Sequence, residues 1–184
     1  IWYSRTAKHW TDALTVGNSR VGAMQYGGTE QEEIQLNEET FWSGGPHHNN
    51  SDQAKDALPK IRELIFQNKF KDAENLINET FLTGQHGMKY LTLGSMLLKF
   101  PNHDNPDNYY RELDIEKAVA KVRYVKNGVT YTRTTFSSFA DDVIIVRLEA
   151  SEAKALDFSL GYNCPLESQV QVKGNKMIVQ CKGV

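Results

Sequence analysis

The second half of the chain is a series of short runs in which apolar and polar residues alternate, and Asn127-Gly128 is the clearest turn between two of them. This pair separates β-branched and aromatic runs, which is the composition that a type I′ hairpin turn requires. Gly174-Asn175 is a second two-residue turn signal. The alternating runs after the first hairpin are DDVIIVRLEA, ALDFSLGYN, SQVQVK and KMIVQCK. Successive strands with turns about every eight to twelve residues predict a mainly β fold, a large antiparallel sandwich.

The first half of the chain changes its period once. Val21, Ala23 and Gln25 alternate with their neighbours and predict a strand, as do Ile34 and Leu36. Apolar residues then recur at helical spacing, which predicts a short helical insert over about residues 52–81. Ser51 or Asp52 is a candidate N-cap, and the sequence QNK predicts the turn between two helices. Pro59 either begins the second helix or kinks the first.

Length and charge limit the class of protein. A chain of 184 residues can bury one core, so residues 1–184 are expected to form a single domain. The net charge of −2 gives no reason to expect nucleic acid as a partner. No apolar run approaches the roughly 20 residues of a membrane helix. The last predicted strand reaches the end of the sequence without a turn, which indicates truncation at the C-terminal end, inside or at the edge of a larger architecture.

Two cysteines, Cys164 and Cys181, have no CxxC spacing, so they leave the redox compartment open. Both a disulfide and a pair of free buried thiols are compatible with the sequence. Free thiols are the favoured interpretation.

The stretch IQLNEETFWSGGPHH, residues 34–48, is the most conspicuous candidate for chemistry. Glycoside hydrolysis usually needs two carboxyl groups, about 5 to 5.5 Å apart for retention and about 6.5 to 9.5 Å apart for inversion. Glu38 and Glu39 are adjacent, and adjacent side chains of an extended backbone point to opposite faces. At most one of them can line a given cleft. The favoured alternative is an acidic loop edge in which one carboxylate accepts hydrogen bonds from backbone N–H groups.

The other polar and aromatic residues of these loops have structural interpretations as well. Trp42 is either an exposed platform for a sugar ring or a core anchor, and its β context favours the anchor. His47 and His48 lack a third ligand at a recognisable spacing, so no metal is expected. His86 and His103 lie in predicted loops, which favours solvated side chains. The glycine-rich run VGNSRVGAM predicts a turn between close strands rather than a phosphate site.

The run from Trp10 to Pro46, WTDALTVGNSRVGAMQYGGTEQEEIQLNEETFWSGGP, resembles the opening of glycoside hydrolase family 95, the α-L-fucosidases and their relatives. The segments ALPKIRELI, YLTLGSMLLKF, YRELDIEKAVAKVRYVKNGVTYTRTTFSS and DDVIIVRLEA extend the resemblance over nearly the whole chain. The departures from the family pattern are Thr15 for proline, Ser19 for glycine, Glu39 for aspartate and Phe41 for leucine. Ser19 is therefore expected to adopt the backbone torsion that the glycine serves.

The resemblance implies an N-terminal super-β-sandwich that precedes a helical linker, an (α/α)6 barrel and a small C-terminal β domain. The catalytic acid and the groups that activate water for inverting hydrolysis belong to the barrel, and no residue of this chain matches their motifs. The chain alone is therefore expected to be non-catalytic, within an exo-acting parent enzyme that needs no cofactor. Four residues are expected to face the barrel or the substrate cleft: Asn37, Glu38, Trp42 and Ser43.

The expected partners are the catalytic barrel of the same polypeptide and a glycan substrate, with no nucleic acid and no membrane. The resemblance also implies an extracytoplasmic location, whether periplasmic, surface-bound or secreted. Three alternatives remain open at this point. The first alternative is a carbohydrate-binding module in which Trp2, Trp10 or Trp42 stacks on a sugar. The second is a purely structural domain, and the third is a domain of a related galactosidase or disaccharide phosphorylase.

Overall fold

The computed structural model of the chain describes residues 1–46, 50–83 and 88–183. The chain divides into two compact units. The first combines Ile1–Phe41 with the chain from Leu91 onward, and the second comprises Trp42–Tyr90. No helix among the residues described has the length and apolar character needed to cross a membrane.

The first unit consists of strands, with a 3-10 turn at Trp10–Asp12. The strands are β1 (Trp2–Tyr3), β2 (Leu14–Gly17), β3 (Val21–Gln25), β4 (Gln31–Glu38), β5 (Gly94–Lys99), β6 (Asp107–Asp114), β7 (Val119–Lys126), β8 (Val129–Ser138), β9 (Val143–Ala150), β10 (Ser159–Asn163), β11 (Ser168–Lys173) and β12 (Lys176–Cys181). One sheet has the order β1-β6-β7-β8-β9 and a second has the order β10-β5-β4-β3-β2. All of these pairs are antiparallel, and among the described residues β11 and β12 pair only with each other.

An apolar core lies between the two five-stranded sheets. Alternation along β2, β3 and β4 directs every second side chain inward, where Leu14, Ala23 and Ile34 are buried. The opposite sheet contributes Ala120 to the same cluster. The predicted antiparallel sandwich is therefore confirmed.

The turn at Asn127-Gly128 is the two-residue hairpin that the sequence predicts. Lys126 pairs with Val129, and both turn residues have positive φ, 52° and 83°. A type I′ turn requires this combination of torsions, which Asn and Gly adopt at lower cost than other residues.

The second unit contains the two predicted helices, α1 (Ala54–Phe66) and α2 (Phe70–Thr80). The predicted N-cap is wrong, because Gln53 precedes the first helical residue and no side chain caps it. The Ser51 hydroxyl instead accepts a hydrogen bond from the Gln53 N–H, 3.3 Å away, two residues along the chain. Pro59 lies inside α1, so the interpretation in which it begins the second helix is wrong.

A charged pair lies in the interior of the first unit. Glu32 of β4 has an exposed fraction of 0% and Arg133 of β8 has 2%, and the guanidinium donates to the carboxylate. The Gly27 N–H donates to the other carboxylate oxygen over 2.8 Å, and the Gly28 carbonyl accepts from Arg133 over 3.2 Å. Burial raises the pKa of Glu32, while Arg133 and the Gly27 N–H oppose the shift. This polar centre joins the turn before β4 to the opposite sheet.

The prediction that the His103 side chain is solvated is wrong, because the residue is buried. Its Nδ1 lies 2.8 Å from the Tyr124 hydroxyl, and its ring packs against Tyr131 with 4.4 Å between centroids. Burial lowers the pKa of His103, and the positive charges of Lys126 and Arg133 lower it further. The prediction failed because a loop position does not show that a ring folds back onto aromatic strand residues.

Ser19, between β2 and β3, has a φ of 74°. This is the glycine-like torsion expected at that position, and a non-glycine residue in the left-handed region costs roughly 1–2 kcal/mol. Glycine loses more backbone entropy on folding, which offsets about 0.5–1 kcal/mol of the gain.

Ser19→Gly is therefore expected to raise the free energy of unfolding by about 0.5–1 kcal/mol. Urea unfolding of the two proteins measures the difference. The control is Ser159→Gly within β10, where glycine only weakens a strand. A destabilised Ser19→Gly protein would contradict the expectation.

Candidate functional site

A cavity of about 440 Å³ lies between the 3-10 turn at Trp10–Asp12 and the second sheet, within the first unit. Thr15, Met24 and Asn37 line it and alternate with the inward-facing residues of β2, β3 and β4. They therefore belong to the outer face of that sheet. The full lining is Trp10, Thr11, Ala13, Thr15, Gly22, Ala23, Met24 and Asn37. We call this cavity the Trp10–Asn37 cleft.

The side chains of the Trp10–Asn37 cleft suit a small polyhydroxylated ligand. The Trp10 indole has 55% of its surface exposed and offers a flat apolar face. Thr11 contributes a hydroxyl and Asn37 an amide that can both donate and accept hydrogen bonds. The Thr15 hydroxyl is directed to the Met24 sulfur, 3.2 Å away. An apolar cavity of this size with a few polar groups is typical of a small-molecule site.

Asn37 reaches this position through the sheet register. Its Cα pairs with that of Gly22 across β3 and β4, so it lies on the same face as Met24 and Thr15. Trp10 lies 27 positions earlier in the chain and enters from the 3-10 turn. The sequence identified Asn37 and Trp10 separately, but it contained no signal that they line one cavity.

Glu38, the next residue, has a different environment. Its Oε2 accepts hydrogen bonds from the Thr40 hydroxyl over 2.6 Å and from the Thr40 N–H over 2.9 Å. The Arg20 Nε lies 3.7 Å from its other oxygen. The hydrogen bond from the Thr40 hydroxyl and the charge of Arg20 lower the pKa of Glu38. The acidic-edge interpretation is confirmed for this residue.

This environment matters for catalysis, because the general acid of a glycosidase is a carboxyl group whose pKa is raised. Glu38 is shifted in the opposite direction. The nearest carboxylate across the same arginine is Asp142, 3.5 Å from Arg20 Nε. Arg20 thus lies between the two carboxylates, and the lowered pKa of Glu38 does not suit it to act as the acid of such a pair.

Trp42 and Ser43 lie in the second unit, where they pair with the segment before β5. Trp42 forms a β-bridge with Tyr90, and the two rings lie 4.9 Å apart at 59°. The Ser43 N–H donates to the Lys89 carbonyl over 2.8 Å, and the Lys89 N–H donates to Ser43 Oγ over 2.8 Å. Both hydrogen bonds attach the loop after β4 to the returning chain.

The core-anchor interpretation of Trp42 is wrong, because 49% of its surface is exposed. Its ring packs on Tyr90, which is itself exposed, rather than in an apolar core. The apolar pattern around Trp42 could not show this, since the partner lies 48 residues away in the sequence.

The predicted site residues thus fall into two groups: Asn37 and Glu38 on β4 of the first unit, and Trp42 and Ser43 in the second. His47, His48 and His86 lie outside the described residues. Within residues 1–46, 50–83 and 88–183, no three His, Cys, Asp or Glu side chains are grouped as a metal site requires.

Comparison with known proteins gives a family match and several relatives. The model of the family described as "Glycosyl hydrolase family 65, N-terminal domain" matches residues 1–184. "Alpha-L-fucosidase 2" of Arabidopsis thaliana is 33% identical over 179 residues, which cover 95% of this chain and 21% of the relative. "Probable alpha-fucosidase A" of Aspergillus niger is 33% identical over 151 residues, 78% of this chain and 18% of that protein.

A protein of the same name from Aspergillus oryzae is 24% identical over 160 residues, 82% of this chain and 22% of that protein. The chain therefore spans about a fifth of the length of the curated relatives that it matches.

Proposed function

Since the chain belongs to the glycosyl hydrolase family 65 N-terminal domain family, we propose that it is the non-catalytic N-terminal domain of an exo-acting α-L-fucosidase. The observation that carries the assignment as an N-terminal domain of a glycosyl hydrolase is the match of this family over residues 1–184. The α-fucosidase names of the relatives and the family 95 motif from Trp10 to Pro46 support the finer assignment to glycoside hydrolase family 95.

In this proposal the proton chemistry takes place on an (α/α)6 barrel of the same polypeptide. The environment of Glu38 supports this division of labour, because the Thr40 hydroxyl and Arg20 lower its pKa, whereas a glycosidase general acid needs a raised pKa. No cofactor is part of the proposal, since inverting hydrolysis requires two carboxyl groups and water.

The contribution of this domain is to shape one rim of the substrate cleft. The loop from Asn37 to Gly45 faces the barrel in this arrangement, with Asn37 and Trp42 nearest the entrance and Glu38 and Ser43 holding the loop in place. Two local observations support this role. Glu38 binds the backbone of the loop through Thr40, and Ser43 binds the returning chain at Lys89.

The Trp10–Asn37 cleft provides a test of the rim in the whole enzyme. Trp10→Ala is expected to raise KM up to about tenfold with little change in kcat, because one aromatic contact to a bound ring contributes about 0.5–1.5 kcal/mol. Steady-state kinetics on a fucosylated oligosaccharide measures both constants. Trp2→Ala is the matched control, because Trp2 is exposed but packs on Tyr110 and not in the cleft. Equal effects of the two substitutions would count against a role for the cleft.

A carbohydrate-binding module is the second candidate, and the exposed indole beside the amide of Asn37 is the observation that favours it. Calorimetry of the 184-residue chain with L-fucose, D-galactose and a fucosylated oligosaccharide separates the two functions. A module binds at least one of these sugars at millimolar concentration, and Trp10→Ala abolishes the binding. A rim that acts only with its barrel shows no heat of binding.

The reaction of the parent enzyme is tested by a substrate panel. The α-L-fucosidase assignment predicts release of fucose from an aryl α-L-fucoside without phosphate. Activity confined to an aryl galactoside would instead support a related galactosidase, and activity that requires inorganic phosphate would support a disaccharide phosphorylase. An extracytoplasmic location completes the proposal, and fractionation of the source cells tests it.

The single-domain organisation of residues 1–184 also remains a proposal. One cooperative unfolding transition, followed at the same temperature by tryptophan fluorescence and by the helical circular dichroism signal, is its expected result. Two separated transitions would contradict it.

A further inference from the structure

Cys164 and Cys181 form a pair of thiols whose sulfur atoms lie 3.7 Å apart. Cys164 follows β10, and Cys181 is the last residue of β12. Both side chains are half-buried, and the Tyr162 hydroxyl lies 3.2 Å from the Cys181 sulfur. The pair plays no part in the proposed hydrolysis or in the Trp10–Asn37 cleft.

The close approach of the cysteines is built into the second sheet. Asn163 pairs with Ser95, which places Cys164 beside the start of β5. Gly94 makes this possible: a Cβ there would lie 2.4 Å from the Asn163 carbonyl oxygen and 3.0 Å from the Cα of Cys164. The Cys181 sulfur lies 4.0 Å from the Leu93 carbonyl oxygen on the same segment. The backbone at Leu93 and Gly94, at the start of β5, thus lies beside both cysteines.

Among the described residues, the hairpin that carries Cys181 has no strand pairing with either five-stranded sheet. Within the part of the chain that the structure describes, β11 and β12 pair only with each other, and all six residues of β11 are exposed. A two-stranded hairpin without further support is marginally stable in water. Met177, Val179 and Cys181 of β12 line an apolar cavity of about 440 Å³ together with residues of the second sheet such as Met96 and Leu160. A covalent bond at Cys181 would therefore restrain both the hairpin and one wall of this cavity.

We propose that Cys164 and Cys181 form a reversible disulfide that links the β11–β12 hairpin to the second sheet under redox control. The oxidant is a small disulfide such as glutathione disulfide. One cysteine thiolate attacks it, forms a mixed disulfide and releases one glutathione thiol. The second cysteine then displaces the other glutathione, which takes up the remaining proton. One S–S bond is formed and one is broken, and two electrons pass from the protein to the oxidant.

The disulfide closes the loop from Cys164 to Cys181, which contains both strands of the hairpin. Closure of a loop of this length is expected to reduce local opening of the hairpin roughly 100-fold. Reduction restores the free thiols and leaves the hairpin held by non-covalent contacts alone. In an oxidising compartment the disulfide-bonded state is the one that persists.

The experiment treats the 184-residue chain with glutathione disulfide and measures its mass, its free thiols and the hydrogen exchange of β11 and β12. The expected result is the loss of both thiols in a monomer, without added glutathione, and exchange in the hairpin slowed roughly 100-fold. Dithiothreitol reverses both changes. Exchange in the β7–β8 hairpin is the internal control and stays unchanged.

Cys164→Ser and Cys181→Ser are the matched variants, and circular dichroism verifies that each is folded. In each variant the oxidant is expected to leave exchange of β11 and β12 unchanged, because no internal bond can form. A mixed disulfide that never closes, a disulfide between two chains, or an internal bond without slower exchange would overturn the proposal.

Discussion

Arg133→Met lowers the free energy of unfolding by about 3 to 5 kcal/mol, because it leaves the Glu32 carboxyl group buried without its charged partner. Glu32 has an exposed fraction of 0%, so water cannot replace the lost guanidinium. The Gly27 N–H remains as a donor, and Tyr26 and Gln25 also favour the ionised form, but neutral groups compensate only part of the cost of burying a charge. Urea unfolding at neutral pH measures the change.

Two further variants test whether the loss of stability is specific to the buried ion pair. Arg147→Met removes a guanidinium whose side chain is 68% exposed and pairs with Glu149 over 2.8 Å, and it is expected to cost less than about 1 kcal/mol. The double variant Glu32→Leu/Arg133→Met removes both buried charges and is expected to recover most of the lost stability. Equal costs for Arg133→Met and Arg147→Met would show that the buried ion pair is not a main source of stability.

Gly28→Ala is expected to lower the free energy of unfolding by about 3 kcal/mol. A Cβ at this position would lie 1.8 Å from the Gln31 carbonyl oxygen, and backbone cannot rotate away as a side chain can. The turn must therefore move. Its movement would displace the Gly27 N–H and the Gly28 carbonyl, which hold Glu32 and Arg133. One methyl group thus disturbs both the turn and the buried ion pair.

Thermal and urea unfolding of Gly28→Ala measure this cost. Gly45→Ala is the matched control, because a Cβ there meets no atom of the described residues within 4 Å, and its effect is expected to stay within about 0.5 kcal/mol. If the two substitutions have the same effect, the close approach of Gln31 to Gly28 does not constrain the turn.

The strands and hairpins of this fold were predictable, because their signals are local. Asn127 and Gly128 both adopt the positive φ that their turn requires. Ser19 adopts the positive φ of the glycine that it replaces. Glu32 also carries a partial signal, since it has the same alternation in β4 as the buried Ile34. Nothing local identifies Arg133 as its partner, because the two residues lie 101 positions apart in the sequence.

In the candidate site, too, local sequence features were predictable and long-range contacts were not. Asn37 and Glu38 were singled out from the sequence, and the divergence of adjacent side chains separates the cleft residue from the loop-binding residue. The partners of Trp10 and Trp42 depend on register and on a distant segment, Gly22 opposite Asn37 and Tyr90 opposite Trp42. Periodicity does not contain that information, which is why Trp42 was expected in a core.

The central claim is that this domain supports hydrolysis without performing it, and fucose release by the isolated chain tests it most directly. The 184-residue chain and the whole polypeptide are incubated in parallel with an aryl α-L-fucoside, at equal molar concentration. The account predicts fucose release by the whole polypeptide and none above the buffer background by the isolated chain. Release by the isolated chain that scales with its concentration would contradict it.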